Sequence, residues 1–274
     1  MTNLKTRSAF AWAVIGALAA LMPVASHADG TADEWQFSAT IYGWLPSLGG
    51  DVSFPTGGGT SIDVTADQII DALQFTAMGM FDAQKGKWGI GTDVIYLDLG
   101  GSKKNTRDLT VGGSDLPADV TAKADMSITG WVWTTVGTYR VVEEPGNSFD
   151  VLAGARMFEM SSDMKLHFDG NIGSLPLPGS DVKVDVSDTI WDGIVGLKGR
   201  VALGSDKKWY IPYYADVGTG QSDLTWQVLA GVGYQFDWGS LVAVWRYMDY
   251  NMSSKDVFQS LTMDGPAFGA TFRF

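Results

Sequence analysis

The feature that most limits the fold is a period-two rhythm, recurring in about ten stretches of roughly ten residues each. Between Trp35 and Leu45 the odd positions are Trp35, Phe37, Ala39, Ile41, Gly43 and Leu45. The even positions are Gln36, Ser38, Thr40, Tyr42 and Trp44. Successive side chains of a strand leave opposite faces, so this stretch is a strand with one apolar face. The same pattern gives Leu73, Phe75, Ala77 and Phe81 opposite Gln74, Thr76 and Asp82. It gives Trp88, Ile90, Val94 and Tyr96 opposite Asp93. In the stretch from Met126 to Arg140, one side carries Met126, Ile128, Val132 and Val136. Phe149, Val151, Ala153, Ala155 and Met157 stand opposite Arg156.

The second half is more regular. Trp191, Val195, Leu197 and Val201 alternate with Asp192, Lys198 and Arg200, and Trp209, Ile211, Tyr213 and Val217 with Tyr214 and Asp216. Trp226, Val228, Val232, Tyr234 and Phe236 alternate with Gln227 and Gln235, and Leu241, Ala243, Trp245 and Tyr247 with Arg246. Phe268, Ala270, Phe272 and Phe274 alternate with Gly269, Thr271 and Arg273.

Ten strands of this length suit a tilted membrane crossing. Aromatic residues stand at the ends of many apolar faces: Trp35, Trp88, Tyr96, Trp191, Trp209, Trp226, Phe236 and Trp245. Such rings favour a membrane interface, where one edge is wet and the other dry. A soluble sandwich would gather them at the strand centres. The connections also alternate. Short turns fall at Gln84 to Lys87, Glu143 to Asn147, Gly204 to Lys208 and Asp237 to Gly239, with long connections at 46–72, 101–123, 161–187 and 250–260. The expected fold is therefore all-β: a transmembrane antiparallel barrel of about ten strands, eight or twelve being the alternatives, with both termini periplasmic.

The start of the chain has the marks of an export signal. Lys5 and Arg7 precede an uncharged apolar run from Ala9 to Met22, and Ser26-His27-Ala28 offers a cleavage site. The expected domains are a signal peptide at 1–28 and one barrel at 29–274. No later run is long and apolar enough for a helical span. With 0 Cys the fold has no disulfides, and a closed ladder would supply the missing constraint. The formal net charge is -12, which disfavours nucleic acid as a partner.

The last six residues, Gly269-Ala270-Thr271-Phe272-Arg273-Phe274, resemble the terminal signature of outer-membrane barrels. Gly269, Phe272 and Phe274 carry it. More widely, Trp35 to Pro46, Lys87 to Gly100 and Ser222 to Tyr250 resemble a largely uncharacterised family of small bacterial outer-membrane barrels. The resemblance covers nearly all of the chain after residue 28. It implies outer-membrane localisation, with lipid, lipopolysaccharide and the barrel-assembly machinery as partners. It implies no reaction and no cofactor.

If the apolar faces meet lipid, Asp82, Asp93, Asp192 and Asp216 point into the lumen with Arg156, Lys198, Arg200, Arg246 and Arg273. The opposite assignment would cost about 2–4 kcal/mol for each Arg or Lys at the lipid midplane. Nearly balanced signs suggest a lumen filled by ion pairs, with a narrow channel as the functional form. The expected function is a non-enzymatic structural or narrow small-solute barrel; the alternative is binding or adhesion through the outer loops. A rim enzyme would have to use His167 beside Asp169, without a nucleophile elbow or metal cluster around it. Asp163, Asp169, Asp181, Asp185 and Asp188 form an acidic outer region able to hold divalent cations, though a solvated loop explains them as well. The hairpin around Pro55 to Gly59 lacks the surroundings of a phosphate loop. Thr65 to Leu73 reads as a short helix, with Thr65 as N-cap and Asp67 in its first turn.

Overall fold

The computed structural model describes residues 34–53, 59–104, 110–111, 114–115, 120–172, 175–252 and 258–274, with side chains outside 52–62, 101–126, 162–186 and 253–258. The expected signal segment lies outside the described residues. The elements in chain order are β1 (Trp35–Trp44), β2 (Ser47–Ser53), β3 (Gly59–Val64), α1 (Ala66–Ala72), β4 (Leu73–Lys85) and β5 (Trp88–Lys104). Then come β6 (Thr110–Val111), β7 (Ser114–Asp115), β8 (Val120–Glu144), β9 (Asn147–Ile172) and β10 (Leu175–Leu203). The chain ends with β11 (Trp209–Gly220), β12 (Leu224–Gln235), β13 (Gly239–Asn251) and β14 (Phe258–Arg273).

Ten of these strands close a barrel in the order β1, β4, β5, β8, β9, β10, β11, β12, β13, β14, with β14 pairing back to β1. Closure leaves no long edge in lipid, which is the condition for a strand-built membrane protein. The seam runs from Ser38 opposite Arg273 to Trp44 opposite Ala267. Its periplasmic end is locked by a reciprocal pair: Phe37 N–H to the Phe274 carbonyl at 2.9 Å and Phe274 N–H to the Phe37 carbonyl at 3.0 Å. Both ends of the barrel chain lie at the end that carries the short turns.

The outer wall is apolar and aromatic. Trp88 is 69% exposed, and Ile41, Val195, Trp245 and Phe268 are exposed beside it. Rings near the periplasmic end touch in series: Trp35 on Phe37, Phe37 on Phe81 and Phe274, Trp88 on Tyr139, Trp209 on Tyr234, and Phe236 on Trp238. A second belt contains Phe75 on Tyr96, Tyr96 on Trp131, Trp133 on Trp191 and Trp226 on Tyr247. Trp88 to Tyr96, Trp131 to Tyr139 and Trp226 to Tyr234 each span eight positions. At roughly 40° tilt that is about 20 Å along the membrane normal, close to the height of an outer-membrane apolar band.

Two expectations need correction. Val132 and Val136, taken with an apolar and hence lipid-facing side, are buried inside the barrel, while Trp131 and Trp133 are on the outer wall. Both faces of β8 are apolar, so alternation alone does not say which face meets lipid. The connections at 101–123 and 161–187 are also not simply loops. β8, β9 and β10 are 25, 26 and 29 residues long and carry one continuous sheet beyond the outer aromatic belt. The β2–β3 hairpin extends β14 in the same direction, with Leu48 opposite Val64. α1 follows it. Thr65 N–H donates to Gln68 Oε1 at 3.0 Å, and Asp67 stands in the first turn.

Candidate functional site: the barrel interior

The lumen is filled in layers. Nearest the periplasm, Arg140 grips Asp150 with two bonds, Nε to Oδ1 at 2.8 Å and Nη2 to Oδ2 at 3.2 Å. Lys198 pairs with Asp82 across the barrel. Arg200 stacks over the ring of Tyr210, 5.6 Å from its centroid. That ring lies flat against the wall because residue 233 is glycine; a Cβ there would fall 2.2 Å from the ring. Its hydroxyl reaches Ser240 at 2.9 Å. Arg273 is at the mouth, exposed, within reach of the Arg200 charge.

At mid-height two buried arginines organise the cross-section. Arg246, 1% exposed, donates from Nη2 to Asp93 Oδ2 at 2.8 Å and from Nη1 to the Tyr42 hydroxyl at 2.9 Å. Tyr42 in turn donates to Asp93 Oδ1 at 2.6 Å, and Gln227 Oε1 accepts from both Nε and Nη2 of Arg246. The guanidinium lies 5.0 Å from the Trp44 ring. Each guanidinium nitrogen of Arg246 has a partner, the condition under which a buried charge is tolerated. Arg156, fully buried, donates to Thr134 at 3.1 Å and pairs with Asp216. This second network is less complete. Arg156 Nη1 and the Tyr250 hydroxyl are buried without a protein hydrogen-bond partner, and the Tyr214 hydroxyl faces Asp216. Such atoms forfeit the solvation they had in water.

Among the described residues Asp192 has no ion-pair partner. It clamps the β11–β12 turn, accepting from Ser222 N–H at 2.9 Å and from Ser222 Oγ at 2.7 Å. Above the arginines lies an apolar layer of Trp44, Met78, Ile95, Val132, Phe158, Ile190, Met248, Met252 and Met263, with Leu48, Leu97 and Met160 against it.

Of the lumen charges expected from sequence, the structure brings six into three pairs: Asp82–Lys198, Asp93–Arg246 and Arg156–Asp216. Sequence reasoning missed the Arg140–Asp150 pair and the neutral partners Tyr42, Thr134, Gln227, Tyr214 and Tyr250. The signal for Arg140 and Thr134 was present, since both share the parity of Val132 and Val136. His167 lies in β9, not in a loop, opposite Lys123 of β8 and Asp181 of β10. Its side chain lies outside the described residues, as do those of Asp163, Asp169, Asp181 and Asp185; Asp188 is exposed.

No protein-family model matches the sequence, and no curated protein matches it. Solved structures do match in shape. The outer-membrane protease OmpT of Escherichia coli aligns with a TM-score of 0.51 at 10% identity, covering 91% of this chain and 100% of that one. The chain has the fold of a bacterial outer-membrane barrel. The translocator domain of the autotransporter NalP of Neisseria meningitidis aligns at 0.37, with 16% identity over 98% of this chain and 96% of that one. Ail, the attachment invasion locus protein of Yersinia pestis, aligns at 0.33, with 11% identity over 88% and 99%. At these identities the likeness is one of fold.

Proposed function

We propose that this outer-membrane barrel is non-enzymatic and serves a narrow class of small solute, with a lumen closed to ions at rest. The observation that carries this is the pair of buried arginine networks across the mid-section. Apolar side chains of similar volume would fill the same space at equal or greater stability. A half-answered ionic layer is a poor plug but a movable one. On the same reading, residues 1–28 are removed on export, the assembly machinery engages Gly269, Phe272 and Phe274, and lipopolysaccharide surrounds the outer belt.

The test is planar-bilayer conductance. The wild type is expected to stay closed or open rarely and slightly. Replacing Arg156 and Asp216 together with Ala should give persistent small openings. A large, steady conductance in the wild type would sink the closed-lumen reading.

A second reading rests on the long strands. At 3.3 Å per residue, the 26 residues of β9 run roughly 85 Å, far beyond a 25 Å apolar band. The surplus of β8, β9 and β10 is a surface platform suited to binding or adhesion. OmpT is a protease by name, which keeps a rim enzyme in view. His167→Ala is the test of that: we expect no change in any peptide cleavage at the cell surface, and a lost cleavage would replace the non-enzymatic reading.

A further inference from the structure

The backbone ladder of the barrel wall is interrupted along one stretch. The ladder between β1 and β4 runs from Trp35 opposite Lys85 to Ile41 opposite Gly79 and ends there. β4 continues from Met78 to Leu73, paired to β5 on its other side only. β1 meanwhile runs on to Trp44, its odd positions still bonded toward β14. Three residues beyond the last rung, Trp44 N–H donates to a side chain of β4, Met78 Sδ, at 3.2 Å. Burial tells the same story. Gln74, Phe75, Thr76 and Ala77 are exposed in succession, so side chains on both faces of β4 are accessible here.

The opening has a frame. Its lower limit is the Ile41–Gly79 rung. α1 crosses between β3 and β4 at the top, with Ile69 buried. Its height matches the outer leaflet, because Phe75 belongs to the outer aromatic belt with Tyr96. Behind it stands the apolar layer, with Trp44 and Met78 as the first side chains and Leu48, Met248, Met252 and Met263 within. Methionines are unbranched and repack readily around irregular guests.

The rim also selects by charge. No Lys or Arg occurs between Trp35 and Gln84, or between Trp88 and Ser102. Asp67 and Asp71 are exposed on α1, and Asp98 stands opposite Phe75. Such a mouth repels phosphate and carboxylate headgroups. We infer that the gap between β1 and β4 is a lateral portal through which neutral, apolar small molecules pass between the outer leaflet and the methionine-rich apolar layer, whose side chains repack to admit them. This rests on the small-solute reading and supplies its solute class and route. Met78 and Trp44 close the portal in the present conformation; a guest displaces them sideways without disturbing the arginine layers beneath.

The test uses the folded full-length barrel in nanodiscs and 3-(trifluoromethyl)-3-(iodophenyl)diazirine, a neutral, lipid-soluble photolabel. Labelled positions are mapped by mass spectrometry. Trp245 and Phe268 face lipid and serve as the positive control. The expected result is additional label on Met248, Met252, Met263 and Trp44. The chain has 0 Cys, so a pair Gly43→Cys and Ala77→Cys can be introduced across the gap without competitors. A Cβ at Gly43 meets nothing within 4 Å. Oxidising the pair should abolish interior label and leave lipid-facing label intact; reduction should restore it. If the disulfide does not form, Ala77→Trp replaces it as the block. Interior methionines that stay unlabelled in the wild type, or that label equally with the gap blocked, overturn the portal. Ion conductance does not enter this readout, so either result leaves the closed-lumen reading to its own test.

Discussion

Arg246 shows how a charge is kept inside a membrane barrel. Its guanidinium has a carboxylate, a phenol, an amide oxygen and an indole face around it. The favourable part is not the pair itself but its completeness, since removing one member leaves a buried charge unanswered. Arg246→Met should therefore destabilise the barrel by about 3–5 kcal/mol, through the stranded Asp93 carboxylate. Arg246→Met with Asp93→Leu should recover most of that loss. Urea unfolding in lipid vesicles, followed by tryptophan fluorescence, measures both. If the double variant were no more stable than the single one, the loss would lie in packing against Trp44 and not in charge.

At the scale of elements, the strands of the second half were legible from alternation, because their outer rows are apolar and their inner rows polar. β8 was not, since Val132 faces inward and Trp131 outward and both are apolar. The extension was misread for a related reason. Odd positions are apolar from Phe149 to Met157, yet Asp163, Lys165, His167 and Asp169 are odd too, and the pairing of β9 with β10 shifts only near Leu177. The polarity of one parity row thus inverts along a single strand. The interior was legible only as charges. Tyr42 and Gln227 gave no signal because neutral partners become visible only once the barrel sets their neighbours. The β1–β14 seam carries a prediction of its own. Phe274 contributes both bonds of the terminal rung and a ring stacked on Phe37. Deleting it should lower the amount of membrane-inserted protein and leave chain in the periplasm of a protease-deficient strain. Equal insertion would mean that this residue is only the end of a strand.

For the whole molecule, the belt and the extension are two regions of one sheet with different solvents. The belt is closed by ten strands below the β1–β4 gap and held by the layers inside it, whereas β8, β9 and β10 outrun their neighbours. The layers at Arg246, Arg156 and Phe158 all lie below residue 162 of β9 or on strands without an extension. Stability should therefore belong to the belt. Replacing residues 162–186 by a short Gly-Ser linker leaves Trp131, Trp133 and Trp191 in the outer girdle and Phe158 and Ile190 in the core. The shortened protein should still insert and still migrate faster on a gel before heating than after, as a closed barrel does. Its arginine networks should be unchanged, so its conductance should stay as low as that of the full chain. If the platform reading is right, surface binding disappears with the segment while the barrel survives. Loss of heat-modifiable migration would instead make the extension part of the folding core, and would show that the sheet above the membrane holds the sheet within it.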